Sequence, residues 1–334
     1  MTTNRVRASI QSAFGAGEFD HVSIDDGAIE AVATDLADVE LTVPDWRGPP
    51  HPDDRWSNET ILDLYVLAAL NEFQFIMADG SERYRATYDG ETWEGGFAMW
   101  RSLTDALRQD IPITDGEYLR ELSVEATDEL FRGDAPGDTQ IPMLEARHEV
   151  LTATGRRLCN GYDGHFHTLV ETPTAVRLFD DGDGFVERLI EAFPEAFADS
   201  RTLDGETVAF DKKAQLAAAM LYGRFQDRSF FTVEDIEKLT IFADYVVPAN
   251  LRAKGILEYD TELADRIETA TELPVGSRYE IEVRAASIVA GDRLLATLEA
   301  QRGESLIVPQ LDYHLWKLGR DLDVPYHVTY TTTY

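Results

Sequence analysis

The sequence predicts a mainly α-helical protein with a small β component. Three observations carry this. Segments with apolar residues at helical spacing dominate the chain beyond about residue 138. A short alternating stretch from Tyr84 to Trp93 turns at Asp89-Gly90, a strong hairpin signal. The last ten residues, Pro325 to Tyr334, are rich in Thr, Tyr and Val and read as a strand.

In order along the chain, residues 24–38 form a first amphipathic helix. A proline-rich loop follows, from Pro44 through Pro49, Pro50 and Pro52, and carries Trp46 and His51. Ser57 or Asn58 caps the next helix, whose apolar positions are Ile61, Leu62, Tyr65, Leu67 and Leu70. After the hairpin comes a helix over about 97–109, then Ile111-Pro112-Ile113-Thr114, with Thr114 as a further cap. The loop Gly133-Asp134-Ala135-Pro136-Gly137-Asp138 marks the best boundary between lobes 1–135 and 136–334 of a single domain covering 1–334. Helices are then expected at about 141–159, 184–193, 212–224, 233–241, 246–254, 260–270, 279–301 and 308–319. Thr232 and Asp235 resemble a capping-box start for the 233–241 helix.

Composition narrows the function classes. The 334 residues are 44% apolar and carry a formal net charge of −32. An acidic excess spread over the whole chain suits a concentrated-salt cytoplasm, where self-repulsion is screened. It argues against a nucleic-acid partner, whose binding footprint is basic. No run of about 18 apolar residues exists, which argues against a membrane partner. The start, Met1-Thr2-Thr3-Asn4-Arg5, lacks an apolar leader and reads as cytoplasmic. Cys159 is the only cysteine, which excludes an intrachain disulfide and a multi-cysteine metal site.

Two acidic-aromatic clusters stand out: Ile241-Phe242-Ala243-Asp244-Tyr245 and Leu311-Asp312-Tyr313-His314-Leu315-Trp316. Asp244 falls at a helix-to-helix corner just before Pro248. It reads either as a fixed catalytic carboxylate or as a cap for the helix starting near Val246. Asp312 and Trp316 are four apart and share a helix face. The pair reads either as a base-binding wall, with a stacking ring and an accepting carboxylate, or as a core tryptophan with an aspartate near the helix start. His165 and His167 alternate as on a strand, and no further ligand lies at metal-site spacing from them, so no metal is expected. Asp181-Gly182-Asp183-Gly184 lacks the full calcium-loop pattern and reads as a turn. Phosphate-binding glycine loops and nucleophile elbows are absent from the sequence. Glu280 and Arg284 form an i,i+4 pair, and Lys212-Lys213 reads as an anion site or as a solvated helix start.

Further short motifs occur in a fixed order: Gly95, Ile111-Pro112-Ile113-Thr114, Glu145-Ala146-Arg147-His148, Lys213-Ala214-Gln215, Phe242-Ala243-Asp244-Tyr245 with Pro248, Glu280-Ile281-Glu282-Val283-Arg284, the Asp312–Trp316 cluster, and Pro325-Tyr326-His327 with Tyr334. Together they resemble the queuosine salvage family, the queuosine 5′-phosphate N-glycosylases, most clearly from about residue 90 to 334. The resemblance implies a helical, DNA-glycosylase-like architecture. It also implies a hydrolase that cleaves the N-glycosidic bond of a 7-deazaguanine nucleoside 5′-monophosphate, releasing a queuine-like base and ribose 5-phosphate. On matching positions, Asp244 is the catalytic carboxylate, and His51, Phe242, Asp312 and Trp316 line the base pocket. Two departures bear on the substrate. The segment after Leu70-Asn71 reads Glu72-Phe73-Gln74-Phe75, and Lys317 stands where many members carry an acid, so Lys317 is expected to affect which base is preferred.

These residues suit the chemistry. Breaking a ribosyl C–N bond builds positive charge on the sugar, which a carboxylate beneath it stabilises or attacks. A 7-deazapurine has carbon in place of N7, so protonation there cannot assist departure. The anionic group and hydrogen bonds to the base edge must carry more of the barrier. Asp312 fits the edge; Lys213, Arg284 or His327 are candidates for the phosphate. No organic cofactor or metal is required. The competing readings are a helical DNA-base glycosylase and a non-catalytic deazaguanine-binding protein.

Overall fold

Ten consecutive residues of one helix, Ile61–Leu70, are buried, and this helix organises the computed structural model around it. The structure describes residues 4–15, 17–77, 83–170 and 174–334. Met1-Thr2-Thr3, the first part of the stretch read as cytoplasmic, lies outside them. Among the described residues there are fourteen α-helices and four two-stranded sheets. The protein is therefore mainly α with a small β component. No helix among the described residues is long and apolar enough to cross a membrane.

Most expected elements form close to their expected bounds. They include Asp26–Leu36, Asn58–Leu70 with Ser57 as its cap, Gly96–Arg108, Leu144–Gly161, Lys212–Phe225, Val246–Ala253, Arg278–Arg302 and Val308–Arg320. The hairpin pairs Arg85–Tyr88 with Glu91–Glu94 around Asp89-Gly90. The Gly133–Asp138 loop is tied to this hairpin, because the Asp138 carboxylate accepts from Thr87 N and Thr87 Oγ1 at 2.8 and 2.9 Å. One apolar cluster runs from Val22 to Leu315 and draws on residues from both sides of that loop.

Four expectations differ. The 233–241 helix does not form: Phe231–Val233 is a strand parallel to Thr174–Val176, and only Ile236–Lys238 makes a short 3₁₀ turn. Long-range partners outcompete the local capping signal. Asp235 accepts from Leu178 N at 2.7 Å, and Gln215 Oε1 accepts from Thr240 N at 3.0 Å, which satisfies an extended backbone. Asp244 therefore follows extended chain, not a helix. Asp115, not Thr114, caps the next short helix, accepting from Glu117 N. His165 and His167 flank Phe166 at the start of a 3₁₀ turn, not on a strand. The last ten residues make no strand ladder, although Val328 O accepts from Leu273 N and Tyr334 O from Gln74 N. Missed altogether are the Arg5–Phe14 helix, the Ser200–Leu203/Glu206–Ala209 hairpin and the pairing of Val22–Ile24 with Leu257–Tyr259.

Candidate functional site

The site begins where the Asn58–Leu70 helix ends. A buried helix C-terminus leaves carbonyls that need donors, and the negative end of its dipole favours cations. Here three buried cations supply both. Lys213 Nζ donates to Leu70 O at 2.8 Å, Lys212 Nζ to Glu72 O at 3.0 Å, and Arg147 to the carbonyls of Asn71, Phe73 and Gln74. Burial pushes the Lys213 ammonium well below its ordinary pKa and the Arg147 guanidinium down to about 9. Lys212-Lys213 is thus neither solvated nor a paired anion site. Of the two, only Lys212 lines the adjacent cavity. The segment they fix, Glu72-Phe73-Gln74-Phe75, forms one wall.

That cavity encloses roughly 1050 Å³ counting its open mouth, the size of a small-molecule site. The opposite wall comes from the two acidic-aromatic clusters. Asp244 is only 8% exposed, and its Oδ1 accepts from Val246 N at 2.8 Å and Val247 N at 3.0 Å. The capping and functional readings therefore coexist: one oxygen caps the Val246–Ala253 helix, while Oδ2 makes no hydrogen bond among the described residues. Burial raises the Asp244 carboxyl pKa; the Lys212 ammonium and the two N–H groups partly hold it down. Arg284 steadies the loop from behind. Its Nε donates to Ala243 O at 3.0 Å and its Nη2 to Asp199 at 2.6 Å. Burial alone would raise the Asp199 carboxyl, but Arg284 outweighs it and holds it below the usual range. The Glu280–Arg284 pair is buried, part of this network and not a surface pair.

Asp312 joins the two clusters. Its Oδ1 accepts from Phe242 N at 2.8 Å, and the residue lines the cavity beside Phe242. Burial pushes its pKa up to about 8, against the pull of Phe242 N–H and with a further push from the Asp244 charge. Trp316, one helical turn on, presents its ring edge-on to Phe97 at 5.7 Å and stacks with Tyr313 at 6.1 Å. The structure thus brings Asp244, Phe242, Asp312 and Trp316 to one cavity.

Two other residues expected at the base lie elsewhere. His51 is not on the cavity wall. It is 6% exposed behind it, its ring 5.3 Å from Trp46 and 4.8 Å from Trp100, and burial holds its pKa down to about 4. Lys317 is exposed and outside the lining. The three candidates for phosphate do not line the cavity either: Lys213 and Arg284 are committed to carbonyls and Asp199, and His327 is buried beside Tyr334 with its pKa pushed down to about 3.

Sequence reasoning missed several lining residues. Arg83 and Arg320 both line the cavity, and neither has a carboxylate within ion-pair range among the described residues. Burial and the nearby Arg83 charge both lower the Arg320 pKa. Its guanidinium lies over Phe97 at 4.6 Å and Trp316 at 5.0 Å. Two arginines with no carboxylate partner among the described residues, in a chain with 62 acidic side chains, are the signal for an anion, but only their proximity reveals it. Glu72 lies against Gly96: a Cβ there would stand 3.1 and 3.2 Å from its two oxygens, so glycine lets this carboxylate reach the start of the Gly96–Arg108 helix.

The sequence profile described as queuosine salvage protein matches residues 51–334. Among curated relatives, the queuosine 5′-phosphate N-glycosylase/hydrolase of Sphaerobacter thermophilus is 35% identical over 319 residues, covering 94% of this chain and 93% of its own. The mouse protein of the same name is 29% identical, covering 86% of each chain. The bovine one is 27% identical over 92% of this chain and 93% of its own. With the profile matching most of its length, the chain belongs to the queuosine salvage protein family.

Proposed function

We propose that this protein is an N-glycosylase that hydrolyses a 7-deazaguanine nucleoside 5′-monophosphate of the queuosine 5′-phosphate type, releasing the base and ribose 5-phosphate. The observation that carries the reading is Asp244. It is a buried carboxylate with one oxygen fixed by two backbone N–H groups and the other unpartnered among the described residues, in an aromatic cavity that also holds Asp312. The names of the relatives agree with it.

In this reading Phe242 and Trp316 pack the base and fix its orientation. The Asp312 carboxylate accepts from N–H groups of the base edge. Ionising it at pH 7 costs about 1.4 kcal/mol for one unit of displacement, which two charge-assisted hydrogen bonds offset. Asp244 Oδ2 faces the anomeric carbon and stabilises or attacks the cationic sugar as the C–N bond breaks. Water then supplies the hydroxyl of ribose 5-phosphate, and the base leaves with a proton on its ring nitrogen. Arg83 and Arg320 hold the 5′-phosphate, the role for which their lack of carboxylate partners among the described residues suits them. Lys212 opposes the rise that burial imposes on the Asp244 carboxyl. His51 supports the ring wall from behind, and Lys317, being exposed, is assigned no contact with the base. The net charge of −32 supports work in a salt-rich cytoplasm.

The test is to incubate the purified protein in concentrated salt with queuosine 5′-phosphate and measure freed queuine and ribose 5-phosphate. Asp244→Asn is expected to fold normally and to lower turnover at least about a hundredfold, the scale of losing one electrostatic catalytic group. Binding without release by the wild type would make this a base-binding protein. Near-normal turnover in the variant would remove Asp244 from the reaction.

A further inference from the structure

A second cluster of chemically active side chains lies outside the cavity. Asp63 is the only charged residue in the buried run Ile61–Leu70. Its side chain is 2% exposed. A carboxylate there is costly unless something compensates it. Oδ1 accepts from the backbone N of His167 at 2.6 Å. Oδ2 faces two imidazoles at once, His167 Nδ1 at 2.9 Å and His165 Nδ1 at 3.4 Å. The rings stack 5.1 Å apart at 22°, and both side chains are partly exposed, at 36% for His165 and 29% for His167.

Three points separate this arrangement from an ordinary hydrogen-bonded pair. First, ligand bonds of about 2.0–2.1 Å around a tetrahedral ion set neighbouring ligand atoms roughly 3.3 Å apart. The two Nδ1–Oδ2 separations, 2.9 and 3.4 Å, straddle that value, and each of the three residues offers a ligand atom within 4.8 Å of the others. Closing the set takes ring rotation at two side chains with exposed edges. Second, two imidazole nitrogens and one carboxylate oxygen are the donor set that zinc-class divalent ions take, and the exposed side leaves room for water. Third, Asp63 is a carboxylate whose side chain is 2% exposed, so a cation at this point would relieve the cost of burying its charge.

We propose that Asp63, His165 and His167 bind a divalent transition-metal ion of the zinc class, with water completing its shell. The ion clamps the Asn58–Leu70 helix to the 3₁₀ turn Phe166–Leu169. Binding displaces protons from both Nδ1 atoms onto Nε2 or to solvent and gives up the 3.2 Å contact of His165 Nδ1 with Thr114 O, so affinity falls in acid. Asp63 lies nine positions before Glu72 in the chain, roughly 13 Å at 1.5 Å per helical residue. The clamp is thus structural and separate from the hydrolytic cavity.

The test uses chelator-treated protein in molar KCl, which suppresses loose binding to the acidic surface. Co²⁺ is titrated while visible ligand-field absorption is followed, and Zn²⁺ is then added in a thermal melt. One saturable equivalent per chain is expected, with a higher melting temperature in Zn²⁺. His165→Ala and His167→Ala, at partly exposed positions, should fold by circular dichroism yet bind at least about tenfold more weakly and lose the melting shift. Asp63→Asn, which keeps an acceptor for His167 N, should do the same. No saturable uptake by the wild type, or equal uptake by the two histidine variants, overturns the proposal whatever the protein does to nucleotides.

Discussion

Asp312→Asn isolates the electrostatics of the cavity. Asparagine keeps an oxygen for the Phe242 N–H and nearly the same volume, so the change removes chiefly a titration. In the folded wild type, burial lifts the carboxyl from an ordinary 3.8 to about 8. The folded state therefore keeps a proton that the unfolded chain releases between these values. With more protons bound folded than unfolded, stability attributable to Asp312 falls as pH rises through that window. The full slope is about 1.4 kcal/mol per pH unit. Between pH 5 and 7.5 the limiting change is about 3.4 kcal/mol, and water entering the open cavity reduces it to about 1–3 kcal/mol. The stability gained by the variant over wild type should be small near pH 4, grow to pH 8 and then level off. Urea denaturation at pH 5, 6, 7 and 8 in constant high salt measures it, since other titrating groups cancel in the difference. A gap that stays constant over this range refutes the raised pKa. Substrate binding supplies a second reading. If the base edge needs the anion, wild-type affinity should tighten with pH up to about 8, by at most tenfold per unit, and the variant's should not.

Other perturbations address the remaining walls. Lys212 is the largest influence holding the Asp244 carboxyl down against burial. Lys212→Met should therefore move the acid limb of the pH–rate profile upward; an unmoved limb dissociates the two. Trp316→Ala removes a half-buried ring and should raise KM about tenfold, within the 1–3 kcal/mol range of base stacking, with the fold retained. An unchanged KM would make Trp316 a core residue only. Arg320→Ala and Arg83→Ala should each cost about 1.5–3 kcal/mol of binding to the 5′-phosphate while leaving affinity for the free nucleoside nearly unchanged. Equal losses on nucleotide and nucleoside would take the arginines away from the phosphate.

Much of the architecture was legible because its signals are local. The helices Lys212–Phe225, Arg278–Arg302 and Val308–Arg320 form where apolar spacing puts them. The two acidic-aromatic clusters could be singled out because a carboxylate among rings is unusual at any single place in a chain. The failure of the 233–241 helix has a clear cause, competition from distant partners. Asp235 gives its carboxylate to Leu178 and Phe179 in place of a helix start, and Gln215 satisfies the extended backbone before Phe242.

By itself, then, the sequence determined the helical class, the family and the residues Asp244, Phe242, Asp312 and Trp316, because each is written in local pattern. Tertiary structure alone decided what surrounds them. It turned Lys213, Arg284 and Arg147 from surface-like charges into buried props of the cavity wall, set His51 one layer behind that wall, and brought Arg83 to Arg320 and Asp63 to His165 and His167. Each of those roles depends on contacts between residues 41 to 237 positions apart, and on the low dielectric around them. Neither a contact of that span nor a pKa of about 8 on Asp312 is encoded at any one position of the chain.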